Sequence, residues 1–162
     1  MFREMRRSRQ ELSAYDSLAV LITSTHGVLA CLGDEDYPYA VPLSYVYFNK
    51  TIYFHSAKKG HKIDAIRRNP NVSFAIVGRD DVVSDKFTTY YRSVIVFGKA
   101  RITRGKERKN AFKAFVEKYS GDQPEEVKVE KLAKDTKAYI VAIDIEQISG
   151  KESKHLLNKK KS

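Results

Sequence analysis

The chain has 162 residues, 42% hydrophobic and 31% charged, with a formal charge of +10 at neutral pH. That length supports one domain with a true core and falls short of two, and the balance excludes a collagen-like, low-complexity or disordered chain. No apolar run reaches the roughly 18 residues of a membrane span, and residues 1–10 are charged with no apolar stretch behind them, so neither a membrane protein nor a secretory signal is expected. The single cysteine, Cys31, excludes an internal disulfide and a cysteine-built metal site, which points to a reducing cytoplasm.

The charge gathers at the ends. Arg3, Arg6, Arg7 and Arg9 face one acid, Glu4, at the start, and Lys151, Lys154, Lys159, Lys160 and Lys161 face Glu152 at the finish. Both ends read as basic tails of a single domain spanning 1–162. A nucleic-acid module would need a basic stripe interleaved with exposed aromatics on the folded body, which tails do not supply.

In chain order, Ser8-Arg9-Gln10-Glu11 has capping-box spacing and predicts a helix of about three turns from Leu12 towards Gly27. Gly27–Leu32 is a short apolar run, a buried strand. After the Gly33–Asp36 turn, Tyr39–Phe48 alternates as a strand, with Pro42 marking an edge, a bulge or an unladdered stretch. Asn49-Lys50 is a hairpin turn into the strand Thr51–Ser56. A short helix over His61–Asn69, a strand over Asn71–Gly78 and a charged loop over Arg79–Lys86 follow. Thr88–Thr103 is the longest β-type segment. Lys106–Tyr119 puts Ala111, Phe112, Phe115, Val116 and Tyr119 on one helical face, Pro124 opens another helix to Ala133, and Ala138–Ile148 is the last strand. Six mostly antiparallel strands with helices outside predict a mainly β (α+β) fold, a small closed or split barrel.

The chemistry concentrates in Tyr53–Lys62. A strand ends at His55-Ser56, a Lys58-Lys59-Gly60 turn follows, and a helix opens at His61-Lys62. A helix start offers unpaired N–H groups and a positive dipole end. With the Ser56 hydroxyl, the Lys58 and Lys62 ammonium groups and His61, it makes a site for a phosphate monoester. The same residues also suit a plain solvated basic turn. His55 points to the face opposite its neighbours Phe54 and Ser56, either as a hydrogen-bonded structural histidine or as a catalyst. Tyr90-Tyr91-Arg92-Ser93 offers π faces and a guanidinium to a flat anion; alternatively Tyr91 is core and Arg92 pairs with an acid such as Asp85. Tyr37, Tyr39, Tyr45, Tyr47 and Tyr53 are mainly sheet packing, and Cys31 is an inert core thiol. None of the four histidines has metal-ligand spacing.

Taken together, Gly27–Ala30, the run Tyr37–Tyr47, Ile52–Ala57, Gly60-His61-Lys62, Ile66–Pro70, Val72–Phe74, Tyr91–Ala100 and Ile148–Glu152 resemble the pyridoxamine 5'-phosphate oxidase-like, FMN-binding split-barrel superfamily, in particular its nitroimidazole-resistance (Nim-type) branch. The resemblance implies a six-stranded split barrel that forms a homodimer with two FMN sites at the interface. It implies phosphate contacts from Ser56 and Lys62, a flavin ring lined by Val41, Pro42, Leu43, Phe54, His55 and Ala57, and Tyr91, Arg92 and Ser93 reaching the cofactor, some from the partner subunit. It makes His55 the active-site residue of an FMN-dependent oxidoreductase, with a nitroreductase acting on a small aromatic molecule as the finer reading. A flavin- or haem-binding protein without catalysis is the alternative. Ser153-Lys154-His155 stands where some relatives carry an aromatic residue after Ser-Gly-Lys-Glu, a departure at the substrate end.

Overall fold

The computed structural model describes residues 2–134 and 138–159. Six strands, β1 (His26–Leu32), β2 (Pro38–Phe48), β3 (Thr51–Ser56), β4 (Asn71–Val83), β5 (Thr88–Ile102) and β6 (Tyr139–Glu152), close into one ring in the order β1-β2-β3-β6-β5-β4. Every pairing is antiparallel. Five helices pack outside or across the barrel ends: α1 (Ala14–Thr23), α2 (His61–Arg68), α3 (Gly105–Ser120), α4 (Glu125–Lys134) and α5 (Lys154–Lys159). The expected mainly β, split-barrel architecture is the one observed.

Alternation along the strands sorts side chains into two cores. Leu29, Tyr45, Ile52, Phe54, Phe74, Val94, Val96, Val141 and Ile143 fill the barrel. Val46, Tyr53, Ile140 and Ala142 point outward and are covered by Ala111, Phe112, Phe115 and Val116 of α3. Residues 140–143 are therefore buried on both faces, where the sequence pattern predicts one.

Pro42 lies in the half of β2 that has only β1 as a neighbour. Pro38–Ser44 pair with β1, and β3 takes over at Tyr45. The missing N–H is thus accommodated on a half-open strand. Asn49 and Lys50 both adopt positive φ, the geometry a tight hairpin turn needs.

Three expectations are corrected. The helix cap is Ser13, whose Oγ accepts from the Asp16 N–H at 3.0 Å, rather than Ser8. Residues 8–10 form only a single 3-10 turn, and residues 11 and 12 are tied to β6 through a Glu11–Lys151 bridge and a Leu12 N–H bond to the Gly150 carbonyl, so α1 cannot run through them. β4 runs on to Val83 through the stretch read as a loop, with a bulge between Val77 and Arg79. Its far half is exposed and carries no apolar pattern to read. Finally, the N-terminal segment is laid against the barrel: Phe2 stacks on Phe97 at 5.3 Å, and the buried Gln10 donates to the Glu152 carbonyl at 3.1 Å. At the other end α5 buries Leu156, while Lys160 and Lys161 lie outside the described residues.

Candidate functional site

The strand, turn and helix from Tyr53 to Lys62 sit at one end of the barrel. Ile52, Phe54 and Ser56 face inward, and Tyr53 and His55 face out, as alternation demands. Ser56 is 5% exposed, and its hydroxyl donates to the Ala57 carbonyl at 2.9 Å. The chain then turns at Gly60, whose φ of 127° excludes most side chains. It enters α2, which seals the barrel end with Ile63, Ala65 and Ile66. No side chain caps this helix start. Lys62 is half-buried in its first turn and pairs with no carboxylate among the described residues.

Of the other two members of the proposed anion site, Lys58 swings towards Tyr139, its Nζ 6.0 Å from the ring centroid. His61 turns away. Its Nε2 accepts the Asp34 N–H at 3.2 Å and lies 3.6 Å from the Asp34 carboxylate, and its ring rests 4.2 Å from that of Tyr39. A hydrogen bond from Arg68 holds the Asp34 carboxyl below its ordinary range. Ser56, Lys62 and the helix start without a side-chain cap are what remain of the expected anion site.

His55 stands exposed on the outer face, its ring 4.0 Å from Phe115 and 5.8 Å from Phe112. It borders a cavity of about 460 Å³ whose walls include Ser44, Phe112, Phe115, Tyr119 and Lys131. Pro42 and Ser44 are exposed on β2, whereas Val41 and Leu43 pack against the interior core and Phe54 is fully buried there. Val41, Leu43 and Phe54 therefore present backbone to the outside, and Pro42 and His55 present side chains. The sequence reading missed Ser44, Phe112, Phe115 and Tyr119 as cavity walls. The helical face of α3 was readable, but not that part of it overhangs the sheet.

The C-terminal turn of α3 is pinned where β2 passes from β1 to β3. The Tyr119 hydroxyl accepts the Tyr45 N–H at 3.1 Å and also contacts the carbonyls of Tyr45, at 2.6 Å, and Thr25. Next to it the Lys118 ammonium donates to the Ser24 carbonyl and lies 4.5 Å from the Tyr45 ring. Burial pushes the Lys118 ammonium down and the Tyr119 phenol up from their ordinary ranges.

Tyr91, Arg92 and Ser93 lie elsewhere. Arg92 Nε donates to Glu152 at 2.8 Å, and Glu152 is 1% exposed. Its partner is Glu152 rather than Asp85 because the β5–β6 register sets residues 92 and 152 opposite one another. Tyr91 is half-buried under the Lys151 ammonium, 5.8 Å from its ring centroid. Ser56 is opposite Tyr139 and Arg92 is opposite Glu152 on the same strand. At about 3.3 Å per residue these positions are roughly 40 Å apart along β6. The two sets thus stand at opposite ends of β6. Cys31 is buried, and burial pushes its thiol up, as an inert core cysteine should be. Among the described residues no cluster of His, Cys, Asp and Glu could hold a metal, and no helix is long and apolar enough to cross a membrane.

The model of the family described as pyridoxamine 5'-phosphate oxidase matches residues 13–152. Solved structures share the architecture. An FAD-binding protein of Mesorhizobium loti is 28% identical, with 89% of this chain and 97% of that one covered at a TM-score of 0.59. A conserved hypothetical protein of Mycobacterium tuberculosis is 22% identical, with 94% and 92% covered at 0.77. A candidate 5-nitroimidazole antibiotic resistance protein of Bacteroides thetaiotaomicron is 22% identical, with 88% and 86% covered at 0.71. No curated protein matches the chain.

Proposed function

From the premise that this chain belongs to the pyridoxamine 5'-phosphate oxidase family, we propose that it is a flavin-dependent oxidoreductase that binds FMN between two copies of itself and reduces a small aromatic acceptor. The observation that carries the reading is the Ser56–Lys62 turn: between the end of β3 and the first turn of α2 the chain places a hydroxyl, an ammonium with no carboxylate partner among the described residues and a helix start with no side-chain cap. That donor set suits a phosphate monoester, and the flat surface of Pro42, with the β2 backbone, suits the edge of a ring system. The fit to FMN is good on both counts.

A bound flavin supplies the electron transfer, and the protein supplies binding, orientation and charge. Ser56 and Lys62 hold the phosphate. Pro42 and the backbone of residues 41–43 and 54–57 lie along the ring, Phe112 and Phe115 exclude water from the cavity beside it, and His55 at the mouth carries a proton for the acceptor. Tyr91, Arg92 and Ser93 serve the site of a second copy, since their own lies too far away. The outward, partly exposed Val77, Ile95 and Phe97 give that copy an apolar surface to cover.

The test is the visible spectrum of purified protein with added FMN, read with its mass by light scattering. Flavin bands on a dimer support the reading, and a Soret band in their place, or no chromophore bound, overturns it.

A further inference from the structure

Strands β4 and β5 run on past the barrel as a two-stranded arm. β4 leaves β1 after Ala75, and β5 leaves β6 at Arg92, opposite Glu152. Among the described strands, residues 80–83 and 88–91 pair only with one another. The root of the arm is anchored: the Ser153 N–H donates to the Tyr91 carbonyl at 3.0 Å, and the ring of the buried Tyr90 lies 5.4 Å from that of His155. The rest stands in solvent. Val82 is 77% exposed, and Phe87 at the tip is 99% exposed. Phe87 also holds φ of 47°, in the left-handed region that bulky side chains rarely enter. A two-stranded ribbon is marginal by itself in water, and apolar side chains left outside in this way mark a contact surface.

Ladder partners point to the same side of a sheet. Val77 opposite Ser93, Asp80 opposite Tyr91 and Val82 opposite Thr89 therefore share one face with Ile95 and Phe97. The face given above to a second copy continues along the arm.

The arm is acidic in a basic chain. Residues 79–87 hold Asp80, Asp81 and Asp85 against Arg79 and Lys86. Asp81 takes Arg79 at 2.5 Å, and Lys86 Nζ lies 3.3 Å from the Tyr90 hydroxyl. Asp80 and Asp85 are exposed and form no ion pair with any described residue. The balance is reversed at the far end of β6. There residues 58–68 hold Lys58, Lys59, Lys62, Arg67 and Arg68 against Asp64, and Lys58 and Lys59 are exposed. One chain thus carries both halves of a self-complementary contact, which is what a two-fold pair requires.

Geometry sets one half on the other. Arg92 stands opposite Glu152 and Ser56 opposite Tyr139, at the two ends of β6. A two-fold pair that brings Arg92 to the Ser56–Lys62 turn of a second copy sets the two β6 strands antiparallel. The arm runs on about 16 Å from Arg92 to Phe87, so it then lies across Lys58 and Lys59 of that copy.

We propose that the β4–β5 arm is a clasp on a second copy of this chain, with Asp80 and Asp85 against its Lys58 and Lys59 and Phe87 buried where they meet. The clasp rests on the pairing of chains in the flavin reading, and not on which cofactor is bound.

The experiment uses two charge-reversed proteins, Asp80→Lys with Asp85→Lys, and Lys58→Glu with Lys59→Glu, flavin-free and followed by light scattering. All four side chains are exposed, and a melting curve on each protein verifies the fold. Each variant alone sets like charges together and should dimerise at least about tenfold more weakly than the wild type. Mixed in equal amounts, the two restore opposite charges at both contacts and should form a dimer of wild-type affinity. The chain has no tryptophan, so Phe87→Trp adds a single reporter. Its emission should be that of a shielded indole in the dimer and turn to that of a water-exposed one on dilution to the monomer. Variants that each dimerise as the wild type does, a mixture that stays monomeric, or an indole exposed in the dimer overturns the clasp, whether or not FMN binds. FMN titrated into the wild-type dimer is read separately: no binding there refutes the flavin reading and leaves the clasp standing.

Discussion

Replacing His55 by Ala separates catalysis from packing at the centre of the site. The ring is exposed and lies against Phe115 and Phe112, at 4.0 and 5.8 Å. An aromatic contact of this kind is worth about 0.5–1.5 kcal/mol. For a chain of this size each kcal/mol moves the melting temperature by roughly 2–4 °C, so His55→Ala should melt only a few degrees lower. Ser56 and Lys62, which would hold the phosphate, lie on the opposite side of β3 or beyond it, so FMN affinity should stay within a few fold. A positioned proton donor contributes on the order of 10²–10⁴ in rate; since the electrons come from the flavin, a fall of at least about tenfold in acceptor reduction is expected. His55→Gln controls for packing and hydrogen bonding. It should retain the wild-type melting temperature and still lose the rate, because an amide does not ionise near neutrality and cannot act as a general acid. The assay is turnover normalised to bound flavin, with a melting curve on the same sample. An unchanged normalised rate in both variants refutes the catalytic role.

Lys62→Ala removes one charge-assisted bond to the phosphate, about 1–3 kcal/mol, so FMN should weaken by roughly 5–150-fold while riboflavin, titrated in parallel, is unchanged; equal losses would show that Lys62 does not touch the phosphate. Tyr119→Phe deletes the hydroxyl shared by the backbone of Tyr45 and Thr25, leaving the Tyr45 N–H only a 3.4 Å bond to the Thr25 carbonyl. It should lower unfolding free energy by about 1–3 kcal/mol, and an unmoved denaturant midpoint would contradict that pinning role. The hydrogen bonds of Arg101 hold the Glu107 carboxyl below its ordinary 4.5. The unfolded chain therefore takes up this proton first, and the stabilisation is complete above pH 4.5 and is lost as pH falls through the folded value. Acid melting curves of Glu107→Gln should be flatter below pH 4.5 than those of the wild type, and parallel curves would rule the pair out as a source of acid sensitivity.

The sequence of elements along the chain and the apolar face of α3 were legible because burial writes a period into the sequence. His55 and Ser56 could be assigned to opposite faces of one strand from alternation alone, and the ring of Phe112, Phe115 and Tyr119 from helical spacing. Non-local pairing is what the residues could not reveal. The start of α1 is set by a bridge between Glu11 and Lys151, 140 positions away, and local capping spacing pointed to the wrong serine. His61 reads locally as part of an anion site but is held by Asp34, a turn 27 residues earlier. Arg92 finds Glu152 through register rather than sequence proximity. The exposed half of β4 has no apolar pattern, so only its ladder to β5 reveals it as a strand.

We propose that the Ser56–Lys62 turn, in a pair of chains, holds an FMN phosphate. Titrating FMN into the flavin-free protein, with flavin fluorescence and light scattering recorded at each point, tests it most directly. Saturation is expected at one FMN per chain on a particle of twice the 18.6 kDa chain mass, with Lys62→Ala shifting the curve to higher concentration; a monomer that binds no flavin, or saturation that Lys62→Ala leaves unmoved, contradicts this site.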